Sequence, residues 1–308
     1  MPVNNARRNP FLLAPALTFV VLALFAILRF IDLGAIGTAG YFVMALMILV
    51  AFGVPSAGYL ALRGADSIGK MGIRALSGRE VAVTAAGALV LILQTWILRF
   101  GVFTVDFDYT VFSLYGSTFP ALPTSFGEFL LMLLFLVCLP AVCEEFFFRG
   151  IVMYEYRHAG AVGQIVASAF LFAMFTLDFA QFPVTFFAGI LLAYIVFLTG
   201  NPLCAVLIHI AANLAALFVE RVVWLMWLSP DSRVLFWLLL ILLYFAALYF
   251  WLRTSEKLLR RRADANDEPP TRVARGKILR VLYDVISAPA LLADILIFAV
   301  VALIGIFL

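Results

Sequence analysis

FGEFLLMLLFLVCLPAVCEEFFFRG, residues 126–150, is an apolar run that carries two adjacent carboxylates and an arginine near its end. Phe126 to Cys143 alone is long enough to cross a bilayer as a helix, which takes about 17–25 residues. The run is continuously apolar and does not alternate, so a spanning helix is expected and a strand of an outer-membrane barrel is not. Eight more apolar blocks flank it. They run Phe11 to Ile31, Ala39 to Leu62, Val81 to Leu98, Ala161 to Leu177, Thr185 to Leu198, Pro202 to about Trp227, Val234 to Leu252 and about Ala288 to Leu308. The expected fold is all-α, a polytopic transmembrane bundle of eight core helices with a ninth, C-terminal hydrophobic helix. The first block is too long, and its flanks too poor in small residues, for a cleaved signal peptide, so it reads as a retained helix.

Composition agrees. The chain is 65% hydrophobic and only 13% charged, against about 25% charged in soluble domains. A net charge of +3 does not indicate a nucleic-acid partner, because almost all basic residues sit between the apolar blocks. Cys138, Cys143 and Cys204 lie inside apolar blocks without CxxC spacing, and read as small core hydrophobes.

Lys and Arg are distributed asymmetrically between alternate connections. With a cytoplasmic N-terminus, Arg7, Arg8, Arg63, Lys70, Arg74, Arg79, Arg149, Arg157 and the nine basic residues from Arg253 to Arg280 fall inside. Only Arg29, Arg99, Arg221 and Arg233 are left over. This predicts an integral protein of a bacterial cytoplasmic membrane with its N-terminus inside. Residues 1–252 form the expected bundle, 253–286 a cytosolic basic linker touching anionic lipid, and 287–308 the last helix. The glycines around Gly64, Gly69, Gly72 and Gly78 match no phosphate loop and read as a flexible cytosolic connection.

Ionisable groups at bilayer depth cost several kcal/mol, so each is a functional candidate. Glu145 and Arg149 are four apart and share a helix face, which predicts an ion pair. Glu144 is rotated about 100° away with no such local partner. A poised carboxylate of that kind suits general base chemistry. His209 and Asn213 are also four apart and project together from one face. Taken alone that pair reads equally as helix–helix glue. Thr176 and Asp178 end the fifth block, the latter at an interface where a carboxylate is solvated.

Together these residues resemble the CPBP family of intramembrane proteases, which includes CAAX prenyl endopeptidases and the bacterial Abi proteins. EExxxR stands at Glu144, Glu145 and Arg149, and HxxxN at His209 and Asn213, the latter preceded by Asn201-Pro202. The similarity covers roughly residues 125–215 in its motifs, within a core reaching about 227, and extends to the loop 67–76. The family's middle motif, FxxxH, departs here: Phe172 fits, but Thr176 stands where the histidine belongs. The resemblance implies a metal-dependent intramembrane endopeptidase that cleaves a membrane-anchored or lipidated peptide. Glu144 would activate water, Glu145 with Arg149 would fix the helix end, and His209 and Asn213 would stabilise the oxyanion. Zinc or another divalent metal, held by Glu144, His209 and Asn213, is the implied cofactor, for which a threonine hydroxyl is a poor ligand. The substitution equally suits a catalytically inactive membrane scaffold of the same fold. A proton-coupled transporter is less well supported, because the acids cluster at one end of one helix.

Overall fold

The computed structural model describes residues 11–64, 69, 71–102, 111–120, 123–219, 223, 229–264 and 283–307. Among the described residues, each apolar block lies on a helix; the end of the seventh, at 220–222 and 224–227, lies outside them. We number the helices α1 (Leu13–Leu28), α2 (Thr38–Arg63), α3 (Gly78–Trp96, with a wider turn to Val102), α4 (126–155), α5 (Gly160–Met174), α6 (Gln181–Thr199), α7 (Pro202–Phe218), α8 (Pro230–Asp264) and α9 (Pro289–Phe307). Among the described residues, six helical stretches are long and apolar enough to span a bilayer, and α1 and α7 are shorter apolar helices. The protein is an integral, all-α polytopic bundle, as composition predicts.

Helix α4 runs further than its apolar block. Ser125 caps its start by accepting from the Glu128 N–H. Pro140 supplies no N–H to the helical ladder, and the π turn Leu133–Cys138 lies just before it. A second π turn spans Phe146–Val152. The chain reverses only at Tyr156–Ala159, where Gly160 takes φ +80° and α5 begins. Glu144 therefore lies about 16 Å from Glu155 along the axis, at 1.5 Å per residue. The carboxylates do not mark the end of the span. Arg149, counted above with the inside charges, is buried at 3% exposure.

Ion pairs and hydrogen bonds gather at two opposite ends of the bundle. At one, which we call the basic end, Arg63 Nη2 meets Glu155 Oε2 at 2.6 Å and Tyr59 donates to Glu155 Oε1 at 2.9 Å. The connection from Met71 to Ser77, expected to be flexible, is tied down there. Arg74 donates to Glu80 at 2.9 Å and to the Thr199 carbonyl at 3.2 Å. Its own carbonyl accepts from Asn201 Nδ2 at 2.7 Å. Gly72, at φ +73°, passes so close to the Gly200 carbonyl that a Cβ would lie 2.1 Å from that oxygen. Residues 65–68 and Lys70, and the N-terminal Arg7 and Arg8, lie outside the described residues, as do 265–282 of the basic segment. The start of that segment, to Asp264, continues α8.

The other end carries an addition to the helical fold: an antiparallel hairpin of β1 (Val111–Leu114) and β2 (Ser117–Pro120). Its two-residue turn is Tyr115-Gly116, both at positive φ (50° and 91°), the geometry that matches strand twist. Arg29 and Asp178 also sit at this end, 3.9 Å apart, and Arg99 donates to Gln181 at 3.4 Å.

Helix α4 packs on α2 and α7, α5 packs on α6, α8 covers α3, and α9 lies along α1. Gly87 of α3 lets Ile208 of α7 and Trp251 of α8 approach within 3.1 Å of where a Cβ would stand. That close approach positions the face of α7 that bears His209.

Candidate active site

Two helices build the polar centre. On α4, the four-residue spacing stacks Glu145 under Arg149 as expected, with Nε–Oε2 at 3.0 Å and Nη1–Oε1 at 3.2 Å. Both side chains are fully buried. The guanidinium also donates through Nη2 to the Gly189 carbonyl of α6 at 3.2 Å, and its Cζ lies 4.3 Å from the centre of the Phe172 ring. Gly189 permits this approach, since a Cβ there would meet Ala169 Cα at 3.0 Å and Phe172 Cδ1 at 3.2 Å.

Helix α7 brings the imidazole. Asn201 caps its start by accepting from the Leu203 N–H at 3.1 Å, and Pro202 occupies the first turn, where a missing N–H costs nothing. His209 Nδ1 then lies 2.8 Å from Glu145 Oε1. An ionised carboxylate can only accept, so Nδ1 carries the proton in this pair and Nε2 is left as the second functional atom. The edge of the Phe172 ring meets the imidazole at 5.9 Å between centroids. Glu145, Arg149 and His209 thus form one cluster, its two α4 members fully buried and the imidazole 13% exposed, with Phe172 as its wall.

Glu144 has a partner that local spacing could not reveal. Tyr115, at the hairpin tip, donates its phenolic hydrogen to Glu144 Oε1. Glu144 is 8% exposed and within electrostatic reach of His209 and Arg149. Asn213 donates to the Val137 carbonyl at 3.3 Å, an acceptor inside the π turn of α4. A signal for Tyr115 existed in the sequence: Tyr115-Gly116 between two short strand-like runs is a hairpin pattern. Gly189 had no comparable signal.

His209 and Asn213 line a cavity of about 160 Å3 with Phe172, Ala188 and Leu192. The cavity extends past Thr95 and Trp96 to Arg99 and Gln181, that is, toward the hairpin end between α3, α6 and α7. Neither Glu144 nor Thr176 is in that lining. Thr176 sits in the turn after α5, where its hydroxyl is within 2.9 Å of the Ala173 carbonyl and 3.2 Å of that of Asp178. Asp178 caps α6, accepting from Ala180 N at 2.7 Å and Gln181 N at 3.2 Å.

Among the described residues no three of His, Cys, Asp and Glu converge as ligands. Glu145 and Nδ1 of His209 are committed to each other, and Thr176 to its own turn. The three cysteines form no disulfide; Cys204 is buried and Cys138 and Cys143 are half-buried.

No curated protein and no solved structure matches the chain. Residues 126–215 match the family described as type II CAAX prenyl endopeptidase Rce1-like. That segment runs from the start of α4 into α7 and contains Glu144, Glu145, Arg149, His209 and Asn213. Over this core the chain is similar to that family of CAAX-type endopeptidases.

Proposed function

We propose that the protein is an intramembrane endopeptidase that cleaves a membrane-anchored or lipidated peptide with Glu144 as general base. The Glu145–His209 contact carries this reading, because it brings the motifs of α4 and α7 to one polar centre inside an apolar bundle. Such a centre is expensive to desolvate and is expected where a site needs it. Glu144 takes a proton from water as the oxygen bonds to the peptide carbonyl carbon. The resulting oxyanion meets His209 Nε2, when that nitrogen carries hydrogen, and the Asn213 amide. Collapse of the intermediate breaks the C–N bond, and the proton held by Glu144 passes to the leaving amine. Glu145 and Arg149 position the imidazole.

The basic end is taken as cytosolic by the excess of Lys and Arg there. The substrate then reaches the site laterally, between α3, α6 and α7, and surrounding lipid is its immediate environment. A second reading, a catalytically inactive scaffold of the same fold, is favoured by one observation: the Thr176 hydroxyl serves its own turn. Purified protein in lipid nanodiscs, given prenylated and unprenylated membrane-anchored peptides, separates the two. Cleavage that survives chelators and falls by about 10^2–10^4 in Glu144→Gln, with thermal unfolding unchanged, is the expected result. Cleavage unaffected by that substitution excludes the mechanism, and no cleavage by the wild type leaves the scaffold.

A further inference from the structure

The middle histidine of the family pattern is missing, yet Glu144 is not left without a neighbour. We propose that Tyr115 is a positioning residue for Glu144, holding one carboxylate oxygen so that the other faces the attacking water. This inference rests on the reading of Glu144 as the base.

The hairpin is built to hold its tip in one place. A turn with both residues at positive φ suits glycine and is unusual for tyrosine. At Gly116 a Cβ would lie 2.8 Å from the Arg29 Cα and carbonyl oxygen, so the turn is pressed against the end of α1. Asp32 clamps β2 from the side, accepting from Thr118 N at 2.9 Å and Thr118 Oγ1 at 3.0 Å. Ser117 donates to the Ile31 carbonyl at 3.0 Å and accepts from Leu33 N at 3.1 Å. Phe119 packs against Tyr41 with tilted rings, their centroids 4.9 Å apart. Held in this way, the Tyr115 ring lies 4.2 Å from Phe25 and its hydroxyl reaches Glu144. The phenol donates one hydrogen to Oε1, which orients the carboxylate plane and leaves Oε2 as the free base. Thr176 offers Glu144 no such donor, because its hydroxyl is spent on backbone carbonyls.

Tyr115→Phe removes only the hydroxyl and keeps the ring packed against Phe25. Steady-state cleavage of an anchored peptide in nanodiscs is expected to show kcat reduced roughly 10- to 100-fold with KM unchanged, the scale for losing a hydrogen bond to a charged group. Tyr59→Phe, which removes a similar buried hydroxyl from Glu155 at the basic end, is expected to leave both constants unchanged. Difference infrared spectra, with the Glu144 carboxyl band assigned by Glu144→Gln, are expected to shift in Tyr115→Phe and not in Tyr59→Phe. Wild-type kcat in Tyr115→Phe overturns the inference while leaving Glu144 as base. An unshifted band overturns it independently of turnover. Full activity in Glu144→Gln overturns the underlying reading instead.

Discussion

Helix α4 carries two glutamates, about three turns apart, that each pair with an arginine, and they are solved in opposite ways. At the basic end Glu155 is buried, but its partner Arg63 keeps 49% of its side chain exposed and comes from another helix. In the interior Glu145 and Arg149 come from the same helix and neither is exposed at all. The first pair ties α2 to α4 while half of it stays hydrated, which is a structural clamp. The second has given up solvent on both sides, a penalty of several kcal/mol per ion. It persists because His209, the Gly189 carbonyl and the Phe172 ring complete the shell. Similar residue types thus make a fastening in one place and a candidate reaction centre in the other, and hydration separates them.

The contrast breaks most sharply at Arg149. Arg149→Ala leaves Glu145 buried without its cation, and a loss of about 3–5 kcal/mol is expected, read as a collapse in thermal unfolding temperature of the purified protein. Gly189→Ala comes next. The added methyl must displace Ala169 or Phe172, and about 1–3 kcal/mol of destabilisation is expected, with loss of peptide cleavage as the guanidinium shifts. Arg63→Ala, by comparison, is expected to cost no more than about 1 kcal/mol, since its half-exposed side chain can be replaced by water at Glu155. Equal unfolding shifts in Arg63→Ala and Arg149→Ala would remove the distinction drawn here.

The smallest effect concerns the exposed clamp of the hairpin. Hydrogen bonds from the Thr118 backbone, aided by its side chain and Gly34, hold the Asp32 carboxyl below its ordinary 3.8. A carboxyl lowered in the folded state contributes its stabilisation above the unfolded value and loses it as pH falls through the folded one. Hydrogen exchange of hairpin amides is therefore expected to accelerate slightly as pH drops below about 4, after correction for intrinsic rates. Asp32→Asn should remove that pH dependence.

Some of the site was legible from spacing alone. Glu145 with Arg149, and His209 with Asn213, are four residues apart, and helical periodicity puts each pair on one face whatever surrounds it. The prediction failed where the helix outran its apolar block. Three phenylalanines carry the helix past the carboxylates, but nothing in residues 151–155 says that it runs on to Glu155, so the carboxylates read as near the end of a span and not as its interior. Glu144 looked unpartnered because its partner, Tyr115, lies 29 positions away and reaches it only through the fold. Asn213 has its hydrogen bond on a carbonyl of the α4 π turn, and side-chain spacing carries no sign of that.

What the chain alone determined is its solvent and its secondary structure. So apolar a sequence must bury itself in lipid, and in lipid every backbone polar group has to be satisfied within the helix. It also determined which residues share a helix face, because that follows from 3.6 residues per turn. The tertiary structure decided which faces meet: that Glu145 and not Glu144 takes the imidazole, that a hairpin tip closes on Glu144, and that Thr176 turns back on its own backbone. Those outcomes depend on close approaches at Gly87, Gly116 and Gly189, where the absence of a side chain sets the distance between elements far apart in sequence.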